Sequence, residues 1–84
     1  MFQLLFTRQA KETIQSLPTD QRKRLGELLQ ELATDPFGLP YQKIQGESNV
    51  FRVRMGKFRI VYEIDTKNNT IFILKFDKRS RVYQ

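Results

Sequence analysis

Two runs in which apolar and polar residues alternate, separated by Gly56-Lys57, constrain this chain more than any other feature. Alternation places successive side chains on opposite faces of a strand, and a two-residue loop that begins with glycine at positive φ suits a tight antiparallel hairpin. The hairpin sets one register, in which Met55 lies opposite Phe58 and Arg54 lies opposite Arg59. Because a slip of one residue would turn every side chain to the other face, this register also decides which residues are buried.

The register divides the hairpin into an apolar face and a basic face. The apolar face is predicted to pack against helices and consists of Phe51, Val53, Met55, Phe58, Ile60, Tyr62 and Ile64. The basic face carries Arg52, Arg54, Arg59, Val61 and Glu63, with Arg52 opposite Val61. The hairpin therefore predicts a sheet with one buried side and one positively charged side.

The basic face contains a pair of like charges, Arg54 and Arg59, that directly oppose each other. Such a cross-strand pair destabilises a sheet in water by roughly a few tenths of a kcal/mol. One interpretation is an anion held between the two guanidinium groups. The other is that Glu63 and further carboxylates offset the repulsion while the arginine stems cover the sheet. The charge of this part of the chain favours the anion site.

Two amphipathic helices joined by a tight turn are predicted after a short N-terminal strand, Phe2 to Phe6. Thr7 is the expected N-cap of the first helix and Thr19 that of the second. Pro18 separates the helices, and Asp35-Pro36 ends the second one. Their apolar stripes comprise Ala10, Ile14 and Leu17 in the first helix and Leu25, Leu28, Leu29 and Leu32 in the second.

The remaining sequence predicts one α+β domain, residues 1–84, with a four-stranded sheet. Residues 36–49 contain two prolines and two glycines and are interpreted as a long loop. A three-stranded meander follows, over roughly residues 50–55, 58–65 and 70–77. Its last strand is apolar on both faces, so we expect it to be interior and covered on both sides. Placing the N-terminal strand beside it leaves the first strand of the meander at an edge.

The chain contains neither cysteine nor histidine. Thiol nucleophiles, disulfides and imidazole catalysis are therefore excluded, and we expect no metal and no cofactor. No apolar run approaches the roughly 20 residues that cross a bilayer. The N-terminus also lacks a charged lead region and a small-residue cleavage site, so we expect a cytoplasmic protein without membrane attachment.

The net charge of +6 arises entirely in the C-terminal part. Residues 1–49 carry six basic and six acidic side chains, whereas residues 50–84 carry nine basic and three acidic ones. Such a basic stripe favours a polyanionic partner, because lysine and arginine neutralise phosphates. In the tail, Arg79 and Arg81 suit phosphate and Tyr83 suits stacking on a base. The alternative is a solubilising surface that ends in a frayed terminus.

The basic hairpin, with the strand Phe58-Arg59-Ile60-Val61-Tyr62-Glu63-Ile64, and the tail Lys78-Arg79-Ser80-Arg81-Val82-Tyr83 resemble the RelE/ParE superfamily of toxins from prokaryotic toxin–antitoxin modules. The resemblance covers nearly the whole chain. The RelE branch implies a single RelE-like domain that enters the ribosomal decoding site and cleaves mRNA without metal. In that chemistry the ribose 2′-hydroxyl attacks the adjacent phosphate. The implied partners are the ribosome, mRNA and a RelB-like antitoxin.

The resemblance also implies roles for individual residues. The catalytic set would be Arg54, Arg59, Arg79 and Tyr83, and the RNA-binding set Arg52, Lys57, Lys78 and Arg81. Arg81 remains an alternative to Arg79 as the tail arginine that acts as acid. Many relatives have a histidine where this chain has Lys78, so the general base stays open among Lys57, Lys78 and Glu63.

Two other functions remain open at this point. The ParE branch shares the fold but acts on DNA gyrase and generally lacks the full set of basic residues and tyrosine. Retention of that set places this chain with the RelE branch. A non-catalytic RNA-binding module is the third hypothesis, since the same charges would hold RNA without cleaving it.

Overall fold

The computed structural model describes residues 1–56 and 58–78. Two helices and five strands occur in the order β1 (Gln3–Phe6), α1 (Arg8–Gln15), α2 (Thr19–Thr34), β2 (Tyr41–Lys43), β3 (Val50–Met55), β4 (Phe58–Asp65) and β5 (Thr70–Lys78). The strands form one sheet in the order β1-β5-β4-β3-β2. β1 runs parallel to β5, and all other neighbours are antiparallel. The predicted α+β class is confirmed.

Thr7 begins α1 and also ties it to the sheet. Its Oγ1 accepts a hydrogen bond from the backbone N–H of Ala10 at 3.2 Å and donates one to the carbonyl oxygen of Leu74 at 2.8 Å. The prediction of Thr7 as an N-cap is therefore confirmed. The prediction of Thr19 as the second N-cap is wrong by one residue. Pro18 holds that position, and its carbonyl already accepts the first helical hydrogen bond from Arg22 N at 2.9 Å.

Both helices pack on one face of the sheet and close a single core. Ala10 is fully buried on α1, and the predicted leucine stripe of α2 is confirmed, with Leu25, Leu28 and Leu32 buried and Leu29 partly buried. The sheet contributes the predicted apolar face of the hairpin together with residues of β5. The buried members are Val53, Phe58, Ile60, Tyr62, Ile64, Ile71, Ile73 and Phe76.

The sheet has one strand more than expected. β2 lies inside the segment interpreted as a loop and pairs with β3, in a register that places Gln42 opposite Arg52. β3 is consequently not an edge strand, and the prediction that it lies at an edge is wrong. The three residues of β2 are all exposed, so this strand leaves no alternation of apolar and polar positions in the sequence. The predicted neighbours β1 and β5 are confirmed, with Leu4 opposite Ile71.

β5 is interior, but it is not covered on both sides as expected. Phe72 and Leu74 are only partly buried, because both helices lie on the opposite face and no other described element covers them. The register shifts between Val61 and Tyr62, which face Lys75 and Ile73 respectively. Leu74 is thus an additional residue at a β-bulge, which explains the unbroken apolar run in the sequence.

The two hairpin turns have clear local causes. Gly56 has a φ of 57°, the positive value that the sequence predicts for the β3–β4 turn. In the β4–β5 turn, Asp65 accepts hydrogen bonds from the side-chain amide of Asn68 at 2.8 Å and from its backbone N–H at 3.1 Å. These bonds hold the pKa of the Asp65 carboxyl below its ordinary value. None of the helices in the described ranges is long and apolar enough to cross a membrane.

Candidate nucleic-acid interface

The face of the sheet opposite the helices, here called the basic face, brings Arg52, Arg54 and Arg59 together. The predicted register is confirmed, with Arg54 opposite Arg59 and Arg52 opposite Val61. Ile64 N donates a hydrogen bond to Asn49 O at 3.0 Å, so Asn49 and Ile64 form a hydrogen-bonded pair of the β3–β4 ladder. Hydrogen-bonded and non-hydrogen-bonded pairs alternate along an antiparallel ladder. Arg54 and Arg59 therefore form a non-hydrogen-bonded pair, whose Cα atoms approach to about 4.5 Å.

Neither arginine of this pair forms an ion pair within the described part of the chain. Arg54 is exposed and Arg59 is half-buried, and no described carboxylate lies within the 4.0 Å of an ion pair from either guanidinium. Asp77 lies directly opposite Arg59 on β5, but its Oδ2 pairs with Lys75 Nζ at 3.7 Å. The arrangement leaves two cations side by side and available to an anion.

Glu63, one of the candidate general bases, lies on the basic face away from the arginine pair. It is half-buried and lies opposite Val50 on β3 and Phe72 on β5. Four residues along β4 separate it from Arg59, about 13 Å between Cα atoms. Glu63 is therefore poorly placed to act on a phosphate held between Arg54 and Arg59.

Arg52 makes a contact that the sequence did not indicate. Its Nη2 donates a hydrogen bond to Oε1 of Gln42 at 2.6 Å, while its Nε is buried and has no partner among the described residues. These two residues, with Pro40 and Arg54, line an open cleft of about 220 Å³. No sequence signal indicates Gln42, because its segment has the composition of a loop and a single glutamine forms no motif.

The other predicted site residues cannot be placed. Lys57, Arg79, Arg81 and Tyr83 lie outside the described residues, as does the side chain of Lys78 at the end of β5. Their roles remain predictions. In the described ranges, no three acidic side chains form a group that could hold a metal ion.

Tyr62 lies on the opposite, buried side of the hairpin. It is fully buried in the core, and its hydroxyl has no hydrogen-bond partner among the described residues. Burial, and to a smaller extent the nearby Tyr41, raises the pKa of Tyr62 to about 12. Tyr62 therefore stays neutral at ordinary pH and belongs to the core, whereas the charged side chains of the hairpin lie on the basic face.

The structure is that of a small α+β protein in which both helices cover one face of a five-stranded mixed sheet, and no other described element covers the basic hairpin on the other face. Comparison with known proteins shows that toxins of toxin–antitoxin systems are similar to this chain. The sequence model of the family described as the ParE toxin of type II toxin–antitoxin systems matches residues 4–83. The RelE1 protein of Methanocaldococcus jannaschii is 31% identical over 74 residues, which cover 84% of this chain and 82% of that protein.

Chains of solved toxin–antitoxin complexes have the same fold. A chain of the RelE–RelB complex from Pyrococcus horikoshii OT3 superposes with a TM-score of 0.80 at 27% identity, covering 95% of this chain and 97% of that one. A chain of the RelBE2 toxin–antitoxin complex from Mycobacterium tuberculosis gives 0.80 at 26% identity, covering 93% and 98%. This chain belongs to the RelE/ParE superfamily of type II toxins, which confirms the resemblance inferred from the hairpin and tail.

Proposed function

We propose that this toxin is a ribosome-dependent endoribonuclease that cleaves mRNA in the cytoplasm without a metal ion and so inhibits translation. The observation that supports the proposal most directly is the Arg54–Arg59 pair on a face that no described helix covers, without a carboxylate of the described residues at ion-pair distance. A pair of like charges costs stability in the free protein. An RNA phosphodiester between the two guanidinium groups would convert that cost into charge-assisted hydrogen bonds.

The reaction that suits this face is attack by the ribose 2′-hydroxyl on the adjacent phosphorus. The new bond to the 2′-oxygen forms as the bond to the 5′-oxygen breaks, which leaves a cyclic phosphate and a free 5′-hydroxyl. Negative charge increases on the pentavalent phosphate, where Arg54 and Arg59 would stabilise it. Each well-placed donor contributes on the order of 3 kcal/mol to such a transition state. Arg79 as acid and Tyr83 beside it remain predictions for the tail.

We also propose a RelB-like antitoxin as the cognate partner. The relatives from P. horikoshii and M. tuberculosis were solved as RelE–RelB and RelBE2 complexes. The net charge of +6 and the arginines of the basic face favour a partner segment with acidic side chains. Such a segment would neutralise the toxin by occupying the phosphate-binding residues.

The Arg59→Ala variant tests the ribonuclease. Primer extension on a translated message should show cleavage by the wild type and a loss of cleavage of about 100-fold or more in the variant, since about 3 kcal/mol corresponds to that factor. Arg22→Ala is the matched control, because Arg22 is an exposed arginine of α2. A folded Arg59→Ala protein that cleaves at the wild-type rate would refute the proposal.

A second candidate function follows from the description of the matching family as ParE toxins. A toxin of the ParE branch would act on DNA gyrase. DNA damage on expression, with intact mRNA in the primer-extension assay, would support this candidate and exclude the ribonuclease. RNA binding without any cleavage product would instead indicate a non-catalytic RNA-binding module.

A further inference from the structure

We infer that Gln42 is a positioning residue, which holds Arg52 so that it binds a second phosphate of the RNA strand. This phosphate would be next to the one held between Arg54 and Arg59. The inference rests on the proposed RNA-directed function and deepens it, because it assigns a subsite and one end of the path that the RNA follows. The subsite lies where β2 pairs with β3.

The first support is the direct contact between Gln42 and Arg52. The two residues are opposite each other in the β2–β3 ladder, and the side chains are joined by the 2.6 Å hydrogen bond. Arginine can only donate, so the acceptor must be the amide oxygen of Gln42. The NH2 group of Gln42 makes no hydrogen bond with a described residue. It therefore remains free to donate to a ligand.

The second support is the incomplete hydrogen bonding of Arg52. Its Nε is buried and lacks an acceptor among the described residues, which is costly for a donor of a charged group. The cleft beside Arg52 measures about 220 Å³, and none of the described residues that line it is a carboxylate. A water molecule occupies about 30 Å³ in the liquid, so the cleft admits a group several waters in size, such as a phosphate.

The third support is the spacing of the arginines. Arg52 and Arg54 point to the same face, two residues apart on β3, so their Cα atoms are about 6.7 Å apart along the strand. One anion position would lie between Arg54 and Arg59, and the other would lie beside Arg52 and Gln42. The basic face thus contains two neighbouring anion positions, and an RNA strand lying across the sheet from β4 towards β2 would occupy both.

The salt dependence of RNA binding tests this inference, because Gln42→Ala removes no charge. The probe is a labelled six-nucleotide RNA with 2′-O-methyl riboses, which cannot be cleaved, and its affinity is measured by fluorescence anisotropy at several salt concentrations. Each phosphate contact to a single strand contributes about 0.7 to the slope of log K against log salt. Gln42→Ala and Arg52→Ala should each reduce the slope by about 0.7, and the double variant should be no weaker than Arg52→Ala alone.

Two further variants make the result specific. Gln42→Met keeps the length of the side chain but replaces the amide oxygen with a thioether sulfur, which is only a weak acceptor, so it should reproduce most of the loss seen with alanine. Gln45→Ala is the matched control, because Gln45 is an exposed glutamine of the same segment outside this cleft, and its slope should equal that of the wild type.

An unchanged slope in Gln42→Ala, additive losses in the double variant, or no RNA binding by the wild type would each overturn the inference. Its failure is distinguishable from failure of the ribonuclease. A reduced slope in Gln42→Ala without any mRNA cleavage by the wild type would remove only the proposed reaction. Cleavage by the wild type with an unchanged slope in Gln42→Ala would remove only the subsite.

Discussion

Replacing Arg54 by glutamate should stabilise the fold while it removes the proposed activity. The substitution changes a pair of like charges, Arg54 and Arg59, into a pair of opposite charges. The structure makes this pair favourable for such a test. The two residues form a non-hydrogen-bonded cross-strand pair, and no other described carboxylate is at ion-pair distance from them. The substitution therefore changes mainly the interaction between these two side chains.

The size of the effect follows from the separation of the charges. Two unit charges about 7 Å apart in water interact by about 0.6 kcal/mol, and 0.1 M salt, with a Debye length of about 10 Å, reduces this by roughly half. Exchanging repulsion for attraction doubles the difference, so the free energy of unfolding should rise by about 0.6 kcal/mol, within the range of cross-strand pairs. For a domain of this size the Tm should rise by about 2–5 °C.

Thermal unfolding followed by circular dichroism at 0.1 M and 1 M NaCl measures this rise. At 1 M the Debye length is about 3 Å, so most of the gain should disappear. Lys43→Glu is the matched control, because it makes the same change in net charge on the same sheet but lies opposite Phe51. Equal shifts in the two variants, or a lower Tm for Arg54→Glu, would refute the reasoning.

The remaining predictions concern the N-cap of α1 and the buried Tyr62. Thr7→Ala should lower the free energy of unfolding by about 1–2 kcal/mol in urea denaturation, because it removes both hydrogen bonds of the hydroxyl, whereas Thr7→Ser should retain most of the stability. Equal stability of the alanine variant and the wild type would contradict this. Tyr62→Phe should be at least as stable as the wild type at pH 7, because the buried hydroxyl has no described partner. The folded pKa of about 12 lies above the ordinary value of 10.0, so the wild type should lose stability as pH rises from 10 to 12. Urea titrations across this range should show a smaller loss in Tyr62→Phe, and equal losses would disprove the assignment.

The pattern of residues is sufficient to predict the β3–β4 hairpin and the features that depend on its register. Gly56 defines the turn, and alternation around it assigns each side chain to a face, so the buried Ile60 and the opposed Arg54 and Arg59 are all predictable. The cap at Thr7 and the leucine stripe of α2 are predictable for the same reason. These features depend on residues within a few positions of each other, where periodicity and local hydrogen bonding are decisive.

The contacts between distant segments depend on tertiary packing and could not be predicted in the same way. β2 is three exposed residues without periodicity, so the contact of Gln42 with Arg52 could not be predicted. The apolar residues of β5 predicted a second covering layer, yet Leu74 lies at a bulge and Phe72 is only partly buried. Pairing between distant segments is selected by the free energy of the whole packed sheet, to which one polar contact contributes little. Such a contact therefore leaves no local pattern in the sequence.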